Sequence, residues 1–157
     1  ETDKKLGAEK KPSLPEPFTA SRYEDAQRFQ NYSCSPVMEG FELDTHAAEQ
    51  WSDPFKGGWI AHKQGSCIKF NVSGSIIMLQ YRKTINKPAP VAYAVIDGDR
   101  QNKVLLDANF DEDWGDLCCL EEIYSGAKGE HTVEIVIDTE GKQNSNFMLI
   151  SVITANK

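Results

Sequence analysis

Apolar and polar residues alternate over short stretches of this chain. The alternation is clearest from Ile68 to Val72 and from Thr132 to Ile137, where only Val136 breaks it. Successive side chains of an extended strand point to opposite faces, so a period of two is typical of a strand with one face in the core and one in water. Both stretches are predicted to be half-buried antiparallel strands.

Another stretch, Ser75–Arg82, is apolar on both faces at its centre. This pattern predicts a central strand that is covered on both sides. Further strands are predicted at Val91–Ile96, Val104–Asp107, Leu117–Tyr124 and Phe147–Thr154. Short strands at regular spacing, without helical periodicity, predict an all-β fold, an antiparallel β-sandwich.

Turn residues separate the predicted strands. The pair Asp97-Gly98 tolerates positive φ, as a two-residue hairpin needs, so Val91–Ile96 is expected to pair with Val104–Asp107 across it. Three further glycines mark predicted turns: Gly74, Gly126 and Gly129.

The first part of the chain differs from the rest. Residues 1–17 are charged and rich in proline, which predicts a linker or a mobile arm, and 18–157 are expected to form a single β-sandwich domain. Residues 21–26 allow a short helical turn, but an irregular segment that packs Tyr23 and Phe29 on the sandwich is favoured.

Charge and composition exclude some partners. The 157 residues carry a net charge of −7, and an acidic surface repels phosphate backbones, so nucleic acid is not an expected partner. No run approaches the ~20 apolar residues of a membrane helix, so no membrane insertion is expected. The first residue is Glu1, which we interpret as the start of a mature or truncated chain.

The four cysteines form no CxxC pair, which makes a zinc site unlikely from spacing alone. Adjacent Cys118 and Cys119 would point to opposite faces of a strand, so they are poor partners for each other. Four free thiols are expected, with a Cys34–Cys67 bridge as the alternative.

Familiar catalytic patterns are missing from the sequence. It has no GxSxG elbow, Gly-Asp-Ser block, Asp-x-x-His pair, P-loop or HExxH. His131 is expected to make a structural hydrogen bond at the start of a strand. A small hydrolase that uses two loop carboxylates stays as an alternative, with Asp113 as the first candidate.

Three tryptophans lie in or beside predicted loops: Trp51, Trp59 and Trp114. An indole face can cover the apolar side of a sugar ring while nearby carboxylates and Arg82 hydrogen-bond its hydroxyl groups. Trp114 has such carboxylates beside it, in Asp111 and Asp113. The alternative is that each tryptophan seals one end of the sandwich, and this is favoured for Trp59 because Gly57-Gly58 suggests tight packing.

The same acidic loop offers oxygen ligands for a structural calcium ion, from Asp111, Asp113 and Asp116. It lacks the regular spacing of an EF-hand, and a solvated acidic loop is the favoured alternative. Otherwise no cofactor is expected. Arg82, at the end of a strand, is a candidate for either a ligand contact or a structural ion pair.

About two thirds of the chain resembles the β-sandwich accessory domain of bacterial SGNH/GDSL-type carbohydrate esterases. The matching pieces are Gly58-Trp59-Ile60, Ser66–Phe70 with Gly74, Ile96-Asp97-Gly98, Gly129–Ile135 and Leu149–Ala155. Two further pieces resemble the segment that joins such a domain to its neighbour: Leu14–Pro17 and Arg22-Tyr23-Glu24.

The resemblance implies a galactose-binding-like jelly roll with an ancillary role in a secreted enzyme. The expected function is a non-catalytic carbohydrate-binding module of a polysaccharide-degrading enzyme, outside the cell or at its surface. The expected partners are a polysaccharide or oligosaccharide and a catalytic domain of the same parent chain. The alternative is a structural domain that packs on the catalytic domain and shapes its cleft.

Overall fold

A computed structural model describes residues 21–46 and 53–156 of the protein. These residues contain no helix. The strands are β1 (Glu24–Phe29), β2 (Val37–Glu39), β3 (Phe41–Leu43), β4 (Trp59–Ala61), β5 (Cys67–Lys83), β6 (Val91–Ile96), β7 (Val104–Asp107), β8 (Leu117–Ile137) and β9 (Phe147–Asn156). All their ladders are antiparallel, so the predicted fold class is confirmed.

Two long strands, β5 and β8, connect the layers of the sandwich. The strands pair in the order β3-β4-β9-β5-β8-β6-β7, with β1 also on β9 and β2 also on β5. The first half of β5 pairs with β2 and with the second half of β8. Its second half pairs with β9 and with the first half of β8. Each long strand therefore contributes one half to each layer.

The predicted turns at Gly74, Gly126 and Gly129 are wrong, because the strands run through all three glycines. Gly74 pairs with Gly129, and the β5–β8 register shifts between Gly74 and Ile76. A glycine inside a strand is a common place for a bulge, because it has no side chain to obstruct the bend. The two strands bend here instead of ending.

The residues of β5 that face the main core change across this bend. Before it, Ile68, Phe70 and Val72 belong to the main buried cluster, and after it Ile77 and Leu79 do. The residues that the register shift adds lie on β8, between Ser125 and Gly129. After the bend, Ile76 and Met78 are buried in a second cluster with Ala155, so this part of β5 is covered on both faces, as its apolar sequence predicts.

The hairpin of β6 and β7 is partly as predicted. Both strands have the predicted bounds, and Val91 pairs with Asp107. Their connection is longer than two residues, because the last pair is Ala94 with Val104. The Asp97-Gly98 pair does adopt positive φ, at 51° and 77°, but it forms only the first turn of a longer loop.

The start of the described chain is a strand and neither a helical turn nor an irregular segment. β1 pairs with β9, from Glu24 opposite Asn156 to Phe29 opposite Val152. Pairing with an existing sheet edge outweighs the weak helical signal of an isolated cap, since a short helix has little stability without packing. The predicted arm at 1–17 lies outside the described residues.

All four cysteines are free and partly buried. Burial raises the pKa of the Cys34 and Cys118 thiols. Burial, together with a hydrogen bond to Glu134, raises the pKa of Cys67 to about 11. The thiols of Cys34, Cys67 and Cys118 are therefore protonated at neutral pH and poorly reactive. No helix in the described part of the chain has the length and apolar character to cross a membrane.

Candidate functional site

Four polar residues that flank different strand ends line one corner of the sandwich. Asp44 follows β3, Arg82 lies near the end of β5, Asp116 precedes β8 and Asn146 precedes β9. Residues at the ends of strands are held by the sheet but face the loops, and binding sites commonly form from such loops on a rigid scaffold. The sheet order brings these four separate parts of the chain together.

Asp44 is the most buried acidic side chain of this corner, with 1% of its side chain exposed. Its main-chain N–H donates to the Gly58 carbonyl (2.9 Å), and its carbonyl accepts from Nδ2 of Asn31 (2.9 Å). Its Oδ1 accepts from the His46 N–H (3.1 Å) and lies 2.8 Å from His46 Nδ1. Its Oδ2 is buried and has no hydrogen-bond partner among residues 21–46 and 53–156.

Arg82 lies in the same corner with 23% of its side chain exposed. Its Nη2 donates to the Asn146 carbonyl (3.3 Å), and its Nε lies 3.7 Å from Asp116 Oδ2. The Nε makes no hydrogen bond within normal geometry. Two contacts from different elements therefore hold the guanidinium in place while part of its donor capacity stays unused.

A pocket of about 190 Å³ lies between these groups. Its apolar walls are Phe55, Ile60 and Met148, and its polar walls are Asp44, His46, Arg82 and Asn146. Apolar walls with a few convergent polar groups are typical of a small-molecule site. A pocket of about 210 Å³ beside β2 lacks this character, since none of the buried, unpaired polar atoms belongs to its lining.

Trp114 lies two residues before Asp116, so it is close to this corner. Its ring is 63% exposed and packs edge-to-face against Phe110, with the ring centroids 5.1 Å apart. The contact fixes the indole on the loop between β7 and β8 while one face stays open to solvent. An exposed, oriented aromatic ring offers a surface for the apolar face of a sugar.

Trp59 is in the core, which corrects its inclusion among the ligand contacts. It has no exposed surface, and its ring lies edge-to-face against Phe70 at 5.0 Å. The preceding Gly58 is pressed against β9, because a Cβ there would lie 2.0 Å from the Leu149 carbonyl oxygen. The tight packing expected from Gly57-Gly58 is present and leaves no face of Trp59 for a ligand.

The candidate calcium ligands do not converge. Lys87 Nζ lies 2.7 Å from Asp111 Oδ1, and this hydrogen bond and charge lower the pKa of Asp111. Asp116 pairs with Arg82, whereas Asp113 is exposed. Within 21–46 and 53–156, no three acidic, histidine or cysteine side chains are grouped to hold a metal ion.

Sequence reasoning selected Arg82 but missed Asp44, His46, Phe55 and Asn146. Trp51 lies outside the described residues, and its place in the site stays a prediction. The available signal was weak: Asp44 directly follows the Phe41-Glu42-Leu43 stretch, and acidic side chains are rarely fully buried. Nothing in the sequence links that residue to Arg82 or Asn146, which only the sheet order brings together.

Two solved structures of a two-domain esterase active on acetylated mannans, one co-crystallised with mannopentaose, match this chain. They are 42% and 40% identical to it, cover 93% and 99% of it and have a TM-score of 0.84. The resemblance to the β-sandwich accessory domain of carbohydrate esterases is confirmed. The chain spans 40% and 43% of the length of those two esterase chains.

More distant structures share the fold alone. A family two carbohydrate esterase from Cellvibrio japonicus matches 85% of this chain with 13% identity and a TM-score of 0.56. The CBM36-1 domain of a multidomain xylanase from the hindgut metagenome of Trinervitermes trinervoides matches 82% of this chain and 94% of its own length, with 10% identity and a TM-score of 0.52. No family model and no curated protein matches the sequence.

Proposed function

We propose that this chain is a non-catalytic carbohydrate-binding domain of an esterase that acts on a plant polysaccharide. One observation carries the proposal. This chain matches part of a mannan esterase at 42% identity, and its exposed Trp114 lies two residues before Asp116, which pairs with Arg82 of the polar pocket. An aromatic face next to hydrogen-bonding groups suits a sugar, whose rings have apolar faces and polar edges.

The absence of a catalytic motif supports a binding role. The sequence has no nucleophile block, and Asp113, the candidate for a carboxylate mechanism, is exposed at the surface. An exposed side chain on a loop is not held in the fixed position across a glycosidic bond that a two-carboxylate mechanism needs. Hydrolysis would therefore belong to another domain of the parent protein.

The proposed ligand contacts are Trp114, the adjacent Asp111 and Asp113, Arg82 and the undescribed Trp51. Calcium has no role in this proposal, because Asp111 and Asp116 already pair with Lys87 and Arg82. We also propose that the parent protein works outside the cell or at its surface, since polysaccharides such as mannan are found there.

The first prediction concerns the indole of Trp114. Isothermal titration calorimetry against mannopentaose, β-mannan and xylan should detect binding, and Trp114→Ala should weaken it about tenfold through loss of roughly 1–2 kcal/mol of contact. Tyr23→Ala is a matched control, since Tyr23 is an exposed aromatic residue (48%) beside β1. Wild-type protein that binds none of these glycans would refute the proposal.

A second candidate function is packing on a catalytic domain. The chain spans less than half of the two-domain esterase, and two apolar side chains are exposed on its edge strands, Val37 (72%) and Leu43 (46%). Exposed edge strands with apolar side chains are suited to protein contacts. Co-purification with the separately expressed remainder of the parent protein tests this, and a complex that survives Val37→Asp with Leu43→Asp would exclude that surface.

A further inference from the structure

We propose that the pocket beside Asp44 and Arg82 binds one neutral sugar residue through a pair of adjacent hydroxyl groups. One hydroxyl donates to Asp44 Oδ2, and its neighbour accepts from the Arg82 guanidinium. The inference rests on the proposed function and deepens it, because it names the sugar groups that the pocket beside Trp114 would bind.

The unpaired oxygen of Asp44 is the main reason. Its carboxylate has one oxygen bound by the His46 main chain and ring. The other oxygen, on a side chain that lines the pocket, is buried with no partner in the described part of the chain. Leaving a buried charged acceptor unsatisfied is unfavourable, so such atoms need an explanation. A hydroxyl donor from a ligand would supply the missing hydrogen bond.

Arg82 supplies the complementary group. The Asp116 carboxylate and the Asn146 carbonyl already hold its guanidinium, so little side-chain entropy is lost when a ligand binds. A guanidinium has five N–H donors, and these contacts leave some of them for a ligand. The pocket therefore offers an acceptor on Asp44 and donors on Arg82. Two adjacent hydroxyl groups can use both, one as donor and the other as acceptor.

The size of the pocket limits the ligand. Its volume of about 190 Å³ is below the roughly 300–1,000 Å³ of drug-sized sites, so one ring fits better than an extended oligosaccharide. The walls formed by Phe55, Ile60 and Met148 suit the C–H face of that ring. The rest of a glycan chain would extend out of the pocket, towards solvent.

Charge favours a neutral sugar over an acidic one. The lining of the pocket includes the Arg82 guanidinium and the Asp44 carboxylate, and the Asp116 carboxylate pairs with Arg82. The cation is already paired with Asp116, so a uronic acid would meet the Asp44 carboxylate without a free counter-charge. Mannose, glucose or galactose residues carry no such penalty.

Asp44→Asn tests the pocket directly. The substitution keeps the shape of the side chain but removes the carboxylate charge, and we expect mannopentaose affinity to fall tenfold or more, with unchanged thermal unfolding. Asp99→Asn is the matched control, because Asp99 lies in the loop after β6, away from the pocket-lining residues. Its affinity should equal that of the wild type.

NMR mapping on the wild-type protein tests the pocket even if the Asp44→Asn variant fails to fold. Amide NMR shifts of His46, Phe55 and Asn146 should move when mannopentaose is added, and oligogalacturonate should leave them unchanged. If wild type binds mannopentaose but these amides stay still and Asp44→Asn binds normally, the pocket inference is wrong and the proposed function stands. If wild type binds no glycan, the proposed function itself fails.

Discussion

One side chain, Asp97, joins the turn after β6 to strand β8. It adopts positive φ at the turn after β6, its Oδ2 lies 2.7 Å from His131 Nδ1, and its Oδ1 accepts from the Thr132 N–H at 2.8 Å. The ring of His131 lies against Tyr124, with centroids 4.2 Å apart. The structural hydrogen bond expected for His131 is present, and it links the turn to β8.

This arrangement predicts a pH dependence of stability. The His131 hydrogen bond, followed by the Thr132 N–H, lowers the pKa of Asp97 below its usual 3.8. A lowered pKa in the folded state gives stability that is present above pH 3.8 and is lost as pH falls through the folded-state value. Asp97→Asn should cost about 1 kcal/mol near pH 7, a modest value because the carboxylate is half exposed.

Urea unfolding from about pH 7 to about pH 3 measures the effect. The difference in free energy of unfolding between wild type and Asp97→Asn should become smaller as the pH falls. The control Asp113→Asn, at an exposed carboxylate, should show no such trend. A difference of constant size across this range would mean that the Asp97 charge does not stabilise the fold.

The local sequence around a tryptophan does not determine whether its side chain is buried or exposed. Trp59 and Trp114 both lie beside glycine and predicted loops, yet one has no exposed surface and the other is 63% exposed. The difference comes from β9, whose Leu149 carbonyl lies against Gly58 from about 90 residues away in sequence. No local pattern contains that information.

At the scale of the elements, β5 and β8 form the sandwich by bending together. Gly74 and Gly129 pair at the bend, but their surroundings differ. A Cβ on Gly74 would lie 3.1 Å from the Ala155 and Ile76 carbonyl oxygens, whereas a Cβ on Gly129 would have only His131 Nε2 near it, at 3.7 Å. The bend therefore requires a small residue on β5 and not on β8.

Alanine at each position tests this asymmetry. Gly74→Ala should lower the free energy of unfolding by roughly 1–3 kcal/mol, because backbone atoms must move to relieve the crowding. Gly129→Ala should change it by less than about 0.5 kcal/mol. Denaturant unfolding of both variants gives the comparison, and equal losses would show that the crowding at Gly74 is relieved elsewhere.

At the scale of the whole molecule, the chain has a net charge of −7, whereas the proposed ligand is neutral. Binding of mannopentaose should change less than about twofold between about 50 and 500 mM salt, because screening acts on charge–charge attraction. Calorimetry in both salts measures this. A steep fall in affinity with salt would instead indicate a charged ligand.

Much of the architecture was predictable because each strand has a recognisable pattern of apolar residues in its own short stretch of sequence. The bounds of β6 and β7 and their pairing follow from short apolar runs separated by turn residues. Gly74 misled because a glycine marks either a turn or a bulge, and the neighbouring strands decide which. The strand β1 was missed because its pairing partner, β9, lies at the other end of the chain.

The sequence by itself determined the all-β class and most of the strands, because alternation and turn chemistry are local. Its motifs also carried the resemblance to an esterase accessory domain. Only the tertiary structure decided which tryptophan is exposed and where the pocket lies. Asp44, Arg82 and Asn146 lie next to one pocket because β3 and β5 end, and β9 begins, at the same corner. That convergence depends on strand order, which no single stretch of sequence contains.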